Sequence, residues 1–293
     1  MGVEAGVEQA LERLALLPGV PQAVATARDA CTQLRWHRAL RRHTDQARAE
    51  AGVRAARCSA ALAGARLPVA AVRDAARGAA DLPDDAAGRT VRAALRVHAE
   101  AEQLSTRTAT AWRAGPLQAV ARLHVAAAAG LVTDEVLGRP RRPGEDPGDG
   151  ADLLRADGSA VQAPDGEALA DRLRGLAELL TAAPAAPAVV VAALVHAEVA
   201  VARPFVTGNG LVARALCRAV LVGRGLDPTG VAVWEAALLD AGPAYPLALA
   251  GYAGGTADGV ARWLVLFAGA VTDGTGEGRA VCDAVLAGRL TPG

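Results

Sequence analysis

The apolar residues of this chain are almost all Ala, Val and Leu, and nothing else restricts its fold as much. Isoleucine and lysine are absent, aromatics make up 3%, and there is one methionine. A core built from such small and aliphatic side chains favours close helix–helix contact. Ala-, Leu- and Arg-rich segments also have high helix propensity. With 293 residues and 52% hydrophobic content, the chain can bury one large core or two closely packed pieces.

Apolar spacing and breakers predict successive helices. Val7 to Leu17 ends at Pro18-Gly19-Val20-Pro21, and a long helical pattern runs from about Val24 towards Leu62, closed by Gly64. Leu67-Pro68 opens a short helix, and a further one covers about Ala86 to Trp112. Gly115-Pro116 starts a helix through Ala129. Gly138 to Gly150, rich in Pro, Gly and charge, reads as a mobile loop. Leu153 to Pro164 reads as a small hairpin around Asp157-Gly158, the one credible strand pair. Helices from about Asp165 to Ala182, Ala188 to Ala202 and Leu211 to Val222 follow, with more to the C-terminus. The expected class is all-α with one minor hairpin. Residues 1–111 read as an N-terminal helical region and 112–293 as a second unit.

Formal charge is zero, so no overall field attracts nucleic acid or an anionic membrane. The start lacks a basic region followed by an apolar run, Gly6 argues against myristoylation, and no apolar stretch is long enough to span a bilayer. Cys31, Cys58, Cys217 and Cys282 are scattered without metal-ligand spacing, as expected of reduced, buried thiols in a cytoplasmic protein.

The single asparagine, Asn209, stands between two glycines in Arg203-Pro204-Phe205-Val206-Thr207-Gly208-Asn209-Gly210-Leu211-Val212-Ala213-Arg214. A Gly208-Asn209-Gly210 turn between two helices is a ready anion cradle. Glycines allow positive φ and close backbone approach, and the N–H groups opening the next helix face an incoming anion. Arg214, a turn further on, could reach an outer phosphate. A plain helix–helix turn is an equal reading of the three residues alone.

The whole segment resembles the signature of the Fic (Fido) family, H-P-F-x-(D/E)-G-N-G-R-x-x-R. The hairpin stands where that family has its target-positioning flap. Leu137 to Arg141 resembles the pre-flap loop, and Tyr245 to Leu249 with the helix around Trp263 fit the C-terminal helices. The resemblance covers about Trp112 to the C-terminus and implies a Fic-like helical fold with a hairpin flap. It further implies transfer of AMP from ATP to a protein hydroxyl, with the His as general base, the acidic residue holding Mg²⁺ and the arginines binding outer phosphates.

Three of those positions differ. Arg203 replaces the base, and a guanidinium cannot accept a proton at neutral pH. Thr207 replaces the metal-binding carboxylate, and Leu211 the first arginine. Losing the base typically costs a factor of about 100 to 10,000. The expectation is a pseudoenzyme that binds a partner protein, with ATP or another phosphate ligand in a cradle of Thr207, Gly208, Asn209, Gly210 and Arg214. Mg²⁺ is not expected, a homo-oligomer is open, and neither nucleic acid nor a membrane is implied. The alternatives are an atypical nucleotidyl or phosphoryl transferase and a small-molecule enzyme on the same scaffold. Ser59-Ala60-Ala61-Leu62-Ala63-Gly64 fits the family's inhibitory frame (S/T)-x-x-x-E-(G/N) with Ala63 in place of the Glu; a plain helix ended by Gly64 is the alternative.

Other polar clusters carry less. His196, about 10 Å along its helix from Arg203, reads as a core histidine. Arg35-Trp36-His37-Arg38-Ala39-Leu40-Arg41-Arg42-His43, with Asp29, Asp45 and Glu50 nearby, reads as a solvated face. His98 with Glu100, and Asp134 with Glu135, lack a third partner at metal-ligand spacing.

Overall fold

The computed structural model describes residues 2–106, 114–149, 153–181 and 186–289, with side chains from residue 6 onward. Twelve α-helices are seen among them: α1 (Gly2–Ala15), α2 (Val20–Arg35), α3 (Thr44–Leu62), α4 (Val69–Ala76), α5 (Ala86–Thr106) and α6 (Pro116–Ala128), then α7 (Gly166–Thr181), α8 (Ala188–Ala202), α9 (Asn209–Gly223), α10 (Trp234–Asp240), α11 (Ala244–Ala253) and α12 (Ala257–Leu286). Trp112, the expected 111/112 boundary, Gly150 and Ala182 lie outside the described residues. The fold is all-α, as expected, and none of the helices among the described residues is long and apolar enough to cross a membrane.

Helix α8 explains the arrangement. Its sequence, AVVVAALVHAEVAVA, is apolar on every side, and a helix with no polar face is buried on every side. It packs along α9, which is in turn covered by α3, α5 and α6. Helix α12 lies across α2, α10, α11 and α8. One core cluster runs from Leu11 to Val271 through these elements. Small residues allow the close spacing the composition implies. A Cβ on Gly274 of α12 would stand 2.5 Å from the Trp234 backbone, and one on Gly278 2.6 Å from the Val231 carbonyl.

Two expectations need correction. The pattern from Val24 to Leu62 is not one helix: α2 stops at Arg35, a 3₁₀ turn covers Arg38–Arg41, and α3 starts at Thr44. Neither Gly nor Pro marks the break. His37 makes it with extended backbone, its ring Nδ1 accepting the Ala39 N–H at 3.3 Å. The hairpin is reduced to one antiparallel bridge, Leu154 to Ala160, around the Asp157-Gly158 turn, and there is no sheet among the described residues. The Arg203 side chain, rather than a further strand, takes the Val161 carbonyl.

The solvated-face reading fits Arg35, Trp36, Arg38, Arg41 and Arg42, all exposed. The four cysteines are buried and free, and burial raises the Cys31 thiol to about 12 and those of Cys58 and Cys282 to about 11.

Candidate functional site

The segment from Arg203 to Arg214 joins the two central helices, so its geometry is set by how α8 ends and α9 begins. Helix α8 ends at Arg203, whose φ of 45° makes it the one non-glycine residue with positive φ among the described residues. A left-handed residue commonly ends a helix, and the position usually belongs to glycine. In an arginine it stores on the order of 1 kcal/mol of strain. The chain then turns through Pro204 and Phe205. The Phe205 ring is buried and lies flat on His124 of α6, with centroids 3.9 Å apart and planes 2° apart. Gly208, with φ 76°, opens α9.

Asn209 holds the turn closed. Its Oδ1 accepts the Phe205 N–H at 2.9 Å, and its Nδ2 donates to the Phe205 carbonyl at 2.8 Å. The left-handed conformation at the turn is supplied by Gly208, not by Asn209. Asn209 also donates its backbone N–H to Asp149 Oδ2 at 2.7 Å and Nδ2–H to Asp149 Oδ1 at 2.6 Å. A carboxylate of the chain itself therefore sits on the first amide of α9.

The loop expected to be mobile is tied to this turn. Arg141, buried, donates from Nε to the Arg203 carbonyl at 2.7 Å, from Nη1 to Glu145 O at 2.7 Å and from Nη2 to Pro164 O at 2.8 Å. Arg141 N–H donates to Pro204 O and Gly148 N–H to Val206 O. Arg139 forms a two-pronged pair with Glu145, both contacts at 2.8 Å, which holds the Glu145 carboxyl down at about 2. Burial of His124, whose Nδ1 accepts the Gly138 N–H at 2.9 Å, lowers that imidazole to about 4. With Nδ1 an acceptor, its proton is on Nε2, beneath the Thr207 end of the turn.

Arg203 cannot serve as a base here. It is buried, it donates to the Val161 carbonyl, and although burial lowers its pKa, it remains a cation. It forms part of the lining of a cavity of about 340 Å³, shared with Arg141, Glu145, Asp146, Val161 and Asp165. At the other end, Arg214 is buried under α3, donating from Nε to Ser59 Oγ at 2.7 Å and from Nη2 to the Ser59 carbonyl at 2.9 Å. The segment singled out for its inhibitory-like frame thus does lie on the second arginine. Leu211 is buried in the core beside it. His196, fully buried, meets the Tyr245 hydroxyl at 2.7 Å among Trp234, Trp263 and Phe267, and burial drives its pKa well below the ordinary value. It is a core residue, not a relocated base.

The donor set does not fit a hard divalent cation. Thr207 offers a neutral oxygen, Asp149 spends its carboxylate on Asn209, and no group of three candidate ligands is present among the described residues. Asp149, Arg141 and His124 were not identified from the sequence. Asp149 and Arg141 lie in a Pro-, Gly- and charge-rich stretch whose composition signals only a loop. His124 is an isolated polar residue on an apolar helix, a weak signal of a buried role.

Residues 114–221 match the family model described as the Fic/DOC family. No curated protein matches the sequence. The fold is similar to the crystal structure of a Fic family protein from Desulfovibrio desulfuricans G20, with a TM-score of 0.72 and 20% identity over 92% of this chain and 76% of that one. It is also similar to Fic-1 (residues 134–508) from C. elegans, with a TM-score of 0.60 and 14% identity over 97% of this chain and 75% of that one. The helical architecture, the turn between α8 and α9 and the match over residues 114–221 agree: the chain is a Fic-domain protein.

Proposed function

We propose that this Fic-domain protein is a pseudoenzyme: it binds a partner protein and holds a phosphate-bearing ligand at the Gly208–Gly210 turn without transferring AMP. The observation that carries this reading is Arg203. A permanently charged guanidinium, turned onto the Val161 carbonyl, stands where the family's signature has its proton acceptor. Thr207 and the buried Leu211 support it, since neither supplies charge to a metal or a phosphate. The turn keeps the geometry an anion uses: a left-handed Gly208, a glycine at 210 and the amides that begin α9. The partner docks along residues 153–162, where Leu154 is exposed beside the cavity wall.

The test is transfer of label from α-labelled ATP together with calorimetry. We expect no labelled protein, and ATP binding that is the same with and without Mg²⁺. Robust transfer by the unaltered protein overturns the reading. Because Leu211 packs in the core, a restoring variant is best built as Arg203→His with Thr207→Asp, and measurable transfer from it would show the scaffold to be intact. The cavity beside Arg203 favours a second reading, a small-molecule site, because about 340 Å³ is within the range of ligand pockets. A metabolite that raises the melting temperature of the unaltered protein but not of Arg203→Ala would favour it.

A further inference from the structure

We propose that Asp149 is the protein's own occupant of the anion cradle, so that a phosphate reaches Asn209 only by displacing Asp149 from it. This rests on the reading that the turn holds a phosphate-bearing ligand. The contact has the form such a ligand would use: two oxygens of one anion, at 2.7 and 2.6 Å, on the backbone N–H and the side-chain amide of Asn209. The amides of Gly210 and Leu211 are also in the first turn, where a helix supplies no carbonyl for them and its dipole favours negative charge.

An ordinary helix cap comes from the residue just before the helix. Here that residue is Gly208, which has no side chain to offer, and the carboxylate arrives from sixty positions earlier. The Asp149 charge also favours the Arg203 cation, so it lies in the field of both positive features of the turn. The tether is short. The ties made by Arg139, Arg141 and Gly148 hold the loop through residue 148, and Asp149 is the next residue. The other end of the segment is closed, since Arg214 is taken by Ser59 and Leu211 is core. The Asn209 end is thus where an anion would be exchanged. An incoming ligand binds with its intrinsic affinity reduced by the fraction of molecules in which Asp149 is in place.

Asn209 allows a direct test, because it is the sole asparagine. Asparagine-selective ¹⁵N labelling therefore yields one backbone amide and one side-chain NH₂ signal, both at the cradle. Without ligand, both signals should move in Asp149→Ala and Asp149→Ser, which add no second asparagine, and stay in place in Asp146→Ala. Signals that stay unmoved in both of these Asp149 variants overturn the proposal whatever binds. With pyrophosphate and a chelator, affinity should rise about tenfold or more in Asp149→Asn and Asp149→Ala, and by less than about twofold in Asp146→Asn, which changes charge in the same loop without touching Asn209. Equal affinity in all of them overturns the competition and leaves the cradle reading standing. No binding by any variant at millimolar pyrophosphate removes the cradle reading, and the Asp149 contact is then a helix cap only. Asp149→Asn keeps the shape of the side chain, so it covers the case in which Asp149→Ala fails to fold.

Discussion

The two arginines that bound the turn, Arg203 and Arg214, are placed in opposite ways. Arg214 keeps the residue type of the family's signature but is sealed under α3, its guanidinium spent on Ser59. Arg203 departs from the signature, yet it borders the cavity of about 340 Å³, held by the carbonyl of Val161. Matching a motif letter therefore says little about whether the side chain is available. What decides availability is which neighbouring element packs over it. The arginine that borders the larger cavity stands at the altered end of the turn, not the kept one.

Four measurements would break or sharpen that contrast. The largest effect is expected at Arg141, which ties the Arg203 end together. Arg141→Ala removes a buried cation that satisfies three carbonyls and should cost about 4 kcal/mol, read by urea denaturation. A loss below about 1 kcal/mol would mean that the loop and the turn are held independently.

Acid should come next. His124, fully buried under the turn, has a folded pKa of about 4 against an unfolded value of 6.5. The unfolded chain therefore binds the extra proton between those values, so stability is complete above pH 6.5 and falls as the pH drops towards 4. The loss from this group is roughly 3 kcal/mol, and the shift of His196 has the same sign. His124→Asn should flatten the pH dependence of the denaturation midpoint over that window. An unchanged slope would place the titration elsewhere.

Asn209→Ala opens the middle of the turn. It removes three side-chain hydrogen bonds, to Phe205 twice and to Asp149, and should cost about 2 kcal/mol in thermal unfolding. The smallest effect is expected at the sealed end. Ser59→Ala leaves the backbone carbonyl bond to Arg214 in place and should cost about 1 kcal/mol. A cost as large as that of Arg141→Ala would mean that the two ends are equally dependent on side-chain ties.

Much of the fold was legible because helices are announced locally. The uniformly apolar run from Ala188 to Ala202 marks a central helix, Pro116 marks a first turn, and Gly208 marks a helix start. The break at Trp36–His37 was hidden because it uses neither glycine nor proline. The hairpin was over-read because the Asp157-Gly158 turn is real, but a single bridge is all that follows from it.

By itself, the sequence determined the all-α class, the Gly208-Asn209-Gly210 turn between two helices and the presence at position 203 of an arginine, a side chain that accepts no proton, since each is a matter of residue type and spacing along the chain. Only the tertiary structure decided that Asp149 sits on Asn209, that Ser59 covers Arg214 and that His124 lies under Phe205. These partners stand between about sixty and more than one hundred and fifty positions apart. Local preference carries no information about contacts at that separation, which are set by how α3, α6 and the loop after α6 pack around α8 and α9.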